Sequence, residues 1–189
     1  MCSESGMNSK IKSYTEADTG GRLTRAFFTR DVLFVAPDII GKILVFKSSG
    51  NSLKKYMITE TEAYRGPEDK ACHASRGRTP RTEVMFDMGG KIYVYFVYGM
   101  YWMLNFVTGV KNNPQAVLIR AIEGCNGPGK LTKVIGIDRS FYGEDLTTSD
   151  RIWVEDSGSH PKIKAGCRIG VDYAGEYWKN VPWRYTLDI

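Results

Sequence analysis

Two runs of aromatic and β-branched residues, Lys91-Ile-Tyr-Val-Tyr-Phe-Val-Tyr98 and Tyr101-Trp-Met-Leu-Asn-Phe-Val-Thr108, are separated only by Gly99-Met100. Such residues favour extended backbone, and Gly99 can take the positive φ of a tight turn, so the pair predicts an antiparallel hairpin. Its tip is unusual. Hairpin tips are normally polar, whereas Tyr98, Met100 and Tyr101 place large apolar groups where water is expected. Either these side chains fold back into a core, or they stand ready to insert into something else.

Further strands fit around this hairpin. Lys42-Ile-Leu-Val-Phe-Lys47 and Lys55 to Tyr64 read as two strands joined by the turn-forming Ser48-Ser-Gly-Asn-Ser52, and Ala116-Val-Leu-Ile-Arg-Ala-Ile122 as an almost wholly apolar strand. Short strands are expected at 151–155, 163–171 and 183–187. Helical signals are fewer: Asp31 to Ile40, ended by Gly41, with Pro37 near its first turn or kinking it, and Asn126 to Gly136, with Asn126 near the cap and Pro128 in the first turn. Residues 65 to 90 read as loop.

At 189 residues the chain is long enough for one domain with a real core, expected over 22–189, and the polar start to Gly21 reads as a loose tail. No apolar run approaches the length of a membrane span. Four scattered cysteines without a C-x-x-C pair, and no secretory leader pattern, fit reduced thiols in an intracellular protein. With two histidines, His73 and His160, the usual zinc-ligand spacings cannot be assembled, so no metal is expected. A formal charge of +5 favours an anionic partner, nucleic acid being the commonest.

Four constellations carry chemistry. In Ile58-Thr-Glu-Thr-Glu-Ala-Tyr64, period-2 alternation places Glu60, Glu62 and Tyr64 on one strand face beside Ile58. That face either meets water or holds an ionisable group for chemistry. Arg120, alone in an apolar strand, needs a carboxylate or phosphate. Arg76-Gly-Arg-Thr-Pro-Arg81 puts three arginines in six residues, a flexible basic clamp suited to phosphates or a solvated loop. The helix start after Gly127, with Lys130 following, can also hold a phosphate.

Taken in order, Thr59-Glu-Thr-Glu-Ala-Tyr-Arg-Gly-Pro-Glu-Asp69, His73, the arginine loop, Tyr93-Val-Tyr-Phe-Val-Tyr-Gly-Met-Tyr101, Asn105, Leu118-Ile-Arg-Ala121, Asn126-Gly-Pro-Gly-Lys130 and Arg168-Ile-Gly-Val171 resemble the alkyladenine (3-methyladenine) DNA glycosylase family. The resemblance covers roughly residues 22–189. It implies a mixed α+β fold, a single domain on a curved, mainly antiparallel sheet with short peripheral helices, and an enzyme without metal or cofactor that removes alkylated or deaminated purines from double-stranded DNA and lacks lyase activity. It implies further that Glu62 is the general base that deprotonates the attacking water, with Arg120 and the main-chain carbonyl of Ile169 positioning that water. Tyr64, His73 and Tyr95 would enclose the flipped base, Asn105 would crowd its minor-groove edge, and Tyr98 would fill the gap in the duplex. Met100, Tyr101, Arg76, Arg78, Arg81 and Lys130 would contact the DNA around it. Glu60 is expected only to pair with a loop or helix cation. A monomer in a bacterial cytoplasm or a eukaryotic nucleus is expected, with no membrane partner. The alternative, from a different class, is a non-catalytic β-domain that binds damaged or abasic DNA.

Overall fold

A computed structural model describes residues 20–48 and 50–188. Most of the tail expected at 1–21 therefore lies outside the described residues. In chain order come α1 (Arg25–Phe28), α2 (Val32–Asp38), β1 (Ile43–Lys47), β2 (Leu53–Arg65), β3 (Ile92–Val97), β4 (Tyr101–Thr108), β5 (Gln115–Ile122), β6 (Cys125–Asn126), α3 (Pro128–Ile135), β7 (Ile152–Glu155), β8 (Ile163–Gly166), α4 (Glu176–Asn180) and β9 (Arg184–Leu187). Among the described residues the nine strands form one sheet in the order β3-β4-β5-β2-β1-β7, with β6 on β5 and β9 joining β2 to β8. The pairings are antiparallel, as the mixed α+β reading expected. No helix among the described residues is long and apolar enough to cross a membrane.

Strand periodicity divides the side chains between two faces. Ala63, Ile92, Val94, Leu104, Phe106, Val117 and Ile119 turn one way and form the main core with Phe28 of α1, Val32, Val35 and Ala36 of α2, and Leu131 and Ile135 of α3. Tyr93, Val107 and Ala116 turn the other way and pack with Cys72, Ala74, Val84 and Met85 from the long loop after β2. That second face carries the site. The loop itself is not featureless, since it forms 3-10 turns at His73–Arg76 and Glu83–Phe86.

Several local expectations are corrected. α2 is capped by Asp31, whose carboxylate accepts from Leu33 N, and Pro37 sits in its last turn rather than its first. Tyr98 belongs to the hairpin turn, not to β3: Tyr98 and Gly99 have φ of 52° and 63°, and Met100 N–H donates to Val97 O at 3.1 Å. Asn126 ends β6 and does not cap α3. Gly127 holds the cap position at φ 104°, a conformation that favours glycine. Gly129 is required for another reason, because a Cβ there would lie 2.5 Å from the Tyr101 ring. The strand expected at 163–171 stops at Gly166, since Arg168 turns its side chain inward and Ile169 N–H is drawn to Glu62 instead of to a neighbouring strand. Finally, register shifts between Ile58 and Thr61 put Ile58 in the main core with Ala63, Ile119 and Ile122, not beside the carboxylates.

Candidate active site

β2 lies between β5 and β9 where it carries Glu62, which is opposite Leu118 on one side and Arg184 on the other. This central placement leaves Glu62 0% exposed. Its oxygens are held from three directions. Oε1 accepts from Ile169 N–H at 2.8 Å and lies 3.3 Å from Arg120 Nη1, while Oε2 accepts from the Tyr64 hydroxyl at 2.8 Å. Burial is the largest influence on the acid and raises its pKa above the ordinary 4.5, with Glu60 adding to the rise. Arg120, the Ile169 amide and Tyr64 pull it back down. The result is a carboxylate both held in place and shifted toward the range useful to a base.

The counter-charge expected for Arg120 is a pair of carboxylates on the adjacent strand: its Nε donates to Glu60 Oε1 at 3.0 Å and its Nη1 faces Glu62. Glu60 is paired with two strand arginines, Arg120 and Arg184, and not with a loop or helix cation. In front of this network is a cavity of about 320 Å³ lined by Tyr64, His73, Tyr95, Asn105, Arg120 and Ile169, with Tyr98, Met103, Leu118 and Tyr173 among its other walls. Glu62 stands behind Tyr64, Arg120 and Ile169. The cavity is walled largely by rings, a shape suited to a flat aromatic guest.

His73 and Tyr95 meet edge to face, with centroids 4.6 Å apart. Burial, reinforced by Arg81 and Arg76, lowers His73 to about 4, so its imidazole is neutral at physiological pH. Its Nδ1 lies 2.8 Å from the Tyr93 hydroxyl. Asn105 is buried, and its NH2 donates to Tyr93 O at 3.1 Å and Met103 O at 3.3 Å, which fixes the orientation of its amide.

The apolar tip divides into two kinds of residue. Tyr98 and Met100 are 86% and 53% exposed, and Tyr98 holds a left-handed backbone that costs an aromatic residue energy. Tyr101 instead packs onto α3 at Gly129, under the Lys133 ammonium 4.5 Å from its ring. The basic loop is less free than expected. Arg78 is held by Glu83 at 2.8 Å and Asn112 at 2.7 Å, and Arg81 lies over the Tyr95 ring at 5.0 Å. Arg76 is exposed at the end of its 3-10 turn, and Lys130 is exposed in the first turn of α3. A second basin, lined by Lys70, Arg76 and Arg81, shares His73 and Tyr173 with the aromatic cavity. Among the described residues no group of three His, Cys, Asp or Glu side chains is placed to hold a metal ion.

Residue-by-residue reading gave no role to Asp69, Arg168, Tyr173 or Arg184. Arg168 and Asp69 form a bidentate pair, Nη1 to Oδ2 at 2.6 Å and Nη2 to Oδ1 at 2.8 Å, with both side chains 0% exposed. The pair anchors the segment whose next residue presents its amide to Glu62.

A buried carboxylate held from three directions thus stands behind a ring-lined cavity, with an exposed aromatic tip beside it. The family profile described as methylpurine-DNA glycosylase matches residues 26–188, and the chain belongs to that family. It is similar to proteins provisionally named 3-methyladenine DNA glycosylase. That of Psychrobacter cryohalolentis is 44% identical over 80% of this chain and 85% of its own. That of Desulfitobacterium hafniense is 43% identical over 88% and 95%, and that of Methanocella arvoryzae 45% identical over 86% and 90%.

Proposed function

We propose that the protein is a monofunctional DNA glycosylase that hydrolyses the N-glycosidic bond of alkylated or deaminated purines after everting them from duplex DNA. The observation that carries this reading is Glu62, fully buried with both oxygens held, directly behind a cavity of about 320 Å³, roomy enough for a purine. Extruding a nucleotide costs a few kcal/mol, least for a damaged pair, and Tyr98 and Met100 at the exposed tip fill the space left in the stack. The purine then lies among Tyr64, His73 and Tyr95. Purines alkylated at N3 or N7 are cationic, and electron-rich rings favour them by ~1–2 kcal/mol. Asn105, fixed by two carbonyls, crowds the exocyclic amine of normal guanine.

The chemistry needs one proton acceptor. Glu62 takes a proton from water as the water oxygen bonds to C1′, and the C1′–N bond breaks with its electrons passing to the purine, which for a cationic base leaves neutral. Arg120, shared between Glu60 and Glu62, favours the ionised base and orients the water, which the Ile169 carbonyl also accepts from. No lysine is among the described residues lining the cavity, which supports a reaction without a covalent imine or lyase step. Arg76, Arg81 and Lys130 meet phosphates, with Arg78 bracing the loop and Tyr101 bracing the tip. The protein acts on double-stranded DNA as an intracellular monomer.

The test is incubation of purified protein with duplexes carrying single defined lesions (3-methyladenine, 7-methylguanine, hypoxanthine or ethenoadenine), followed by alkaline cleavage at abasic sites. Strand breaks are expected only after alkali. Tight binding without base release at any enzyme concentration would leave only the damage-binding alternative, and adducts trapped by borohydride would establish a lyase. Within the same assay Tyr98→Ser is expected to slow excision from duplex roughly tenfold, because opening the stack then lacks its filler. Excision from single strands should be unchanged.

A further inference from the structure

Glu60 Oε1 accepts from Arg120 Nε at 3.0 Å and from Arg184 Nη1 at 3.1 Å. A guanidinium is a planar fork, so seating Nε on one carboxylate sets the direction in which Nη1 meets the next, here Glu62 at 3.3 Å. Arg184 also acts elsewhere. Its Nε donates to Cys167 O at 2.8 Å, two residues before the amide that donates to Glu62 Oε1. One side chain from the last strand thus reaches both groups that meet Oε1: Arg120 by way of Glu60, and Ile169 by way of the chain at Cys167.

We propose that Arg184 and Glu60 are positioning residues for the Glu62 carboxylate, seating Arg120 and aiming the Ile169 amide without touching substrate. The importance of this arrangement for catalysis rests on the reading of Glu62 as the base. The competing explanation is an ion pair that merely holds β9 against β2, and the two differ in sign. The charged and titratable groups facing Glu62 are Glu60 and Tyr64 on β2, Arg120 on β5, Tyr95 on β3 and Arg168 in the segment after β8. Replacing Glu60 by Gln removes the like charge and releases Arg120 wholly to Glu62, so Glu62 becomes a stronger acid. Replacing Arg184 by Met deprives Glu60 of one of its two cations, and Glu60 then draws Arg120 away, so Glu62 becomes a weaker acid. Two substitutions that break the same pair therefore move Glu62 in opposite directions, which loss of strand cohesion alone cannot do.

The experiment titrates the 13Cδ resonance of Glu62 in the full chain, assigned by its absence in Glu62→Gln, for wild type, Glu60→Gln and Arg184→Met. Single-turnover release of an alkylated purine is followed over the same pH range. The Glu62 titration and the acid limb of the rate are expected to move down in Glu60→Gln and up in Arg184→Met, each by about two- to tenfold in proton concentration, as one nearby charge shifts a buried acid. Titrations that coincide with wild type, or shift in the same direction, overturn the proposal. Should Arg184→Met not fold, Glu60→Gln decides alone, a downward shift supporting the pair and no shift refuting it. Opposite shifts in a protein that releases no base would keep the positioning pair and reject the glycosylase reading. Normal base release with coincident titrations would do the reverse.

Discussion

Glu62→Gln is expected to slow single-turnover base release by about 10²–10⁴-fold, the range lost with a positioned general base, while binding to abasic-site DNA is retained. Gln keeps the shape, and its amide oxygen can still accept from Ile169 N–H, so the cavity stays formed. What it cannot do is take the proton from water. Undiminished turnover would refute the role. The same change should stabilise the fold, by an amount that depends on pH. Burial raises Glu62 above its ordinary 4.5, so the folded chain binds this proton more tightly than the unfolded one. The stability this gives is fully present below 4.5 and is lost as pH rises through the folded value. The Gln variant has no such proton to lose, so in urea unfolding its advantage over wild type should be larger at pH 7.5 than at pH 4. An equal difference at both would mean that ionising Glu62 costs the fold nothing. In the wild-type rate profile the acid limb should lie above 4.5, and His73, lowered to about 4, should add no step near 6.5.

The parts of the site that were legible follow from period-2 geometry and from local charge. Glu60, Glu62 and Tyr64 do share a face, because the alternation holds from Glu60 onward, as the 2.8 Å bond from Tyr64 to Glu62 and the shared Arg120 show. Ile58 does not join them, since a register shift is set by how two strands mate and leaves no mark in either alone. Gly99 announced the hairpin, yet Tyr98 at φ 52° lies outside what local preference predicts for an aromatic. The segment 126–130 reads locally as a helix start with Asn126 near its cap, whereas Gly129 admits the ring of Tyr101, a tertiary demand. Apolar content extended the strand of 163–171 too far, because what ends it at Gly166 is an ion pair reaching across 99 residues. No local pattern encodes a contact of that range.

That ion pair is where the largest loss of stability is expected: Asp69→Asn should cost about 3–5 kcal/mol, the usual penalty for leaving a buried charge without its partner. Asp69 receives Arg168 through two bonds and also accepts from Arg65 N–H at 3.1 Å and Ala71 N–H at 3.0 Å. Arg168 donates further to Ala63 O at 2.9 Å and Trp178 O at 3.2 Å, and its guanidinium lies 4.9 Å from the Tyr64 ring centre and 5.2 Å from that of Trp183. With Asn at 69 the cation stays buried without its counter-charge. The double variant Asp69→Leu with Arg168→Met removes both charges, so it should regain at least about half of the lost stability, since an apolar pair of similar volume often replaces an ionic one at little cost. Activity should not return with it. Arg168 also fixes where the chain turns into the cavity, and without that anchor the bond from Arg184 to Cys167 O is left alone to hold the Ile169 amide on Glu62. Urea midpoints and single-turnover rates measured on both variants separate the two effects. A single substitution costing under about 1 kcal/mol, well below the usual penalty, would deny the pair its structural weight, and a stabilised double variant with full base release would deny it any part in positioning the amide.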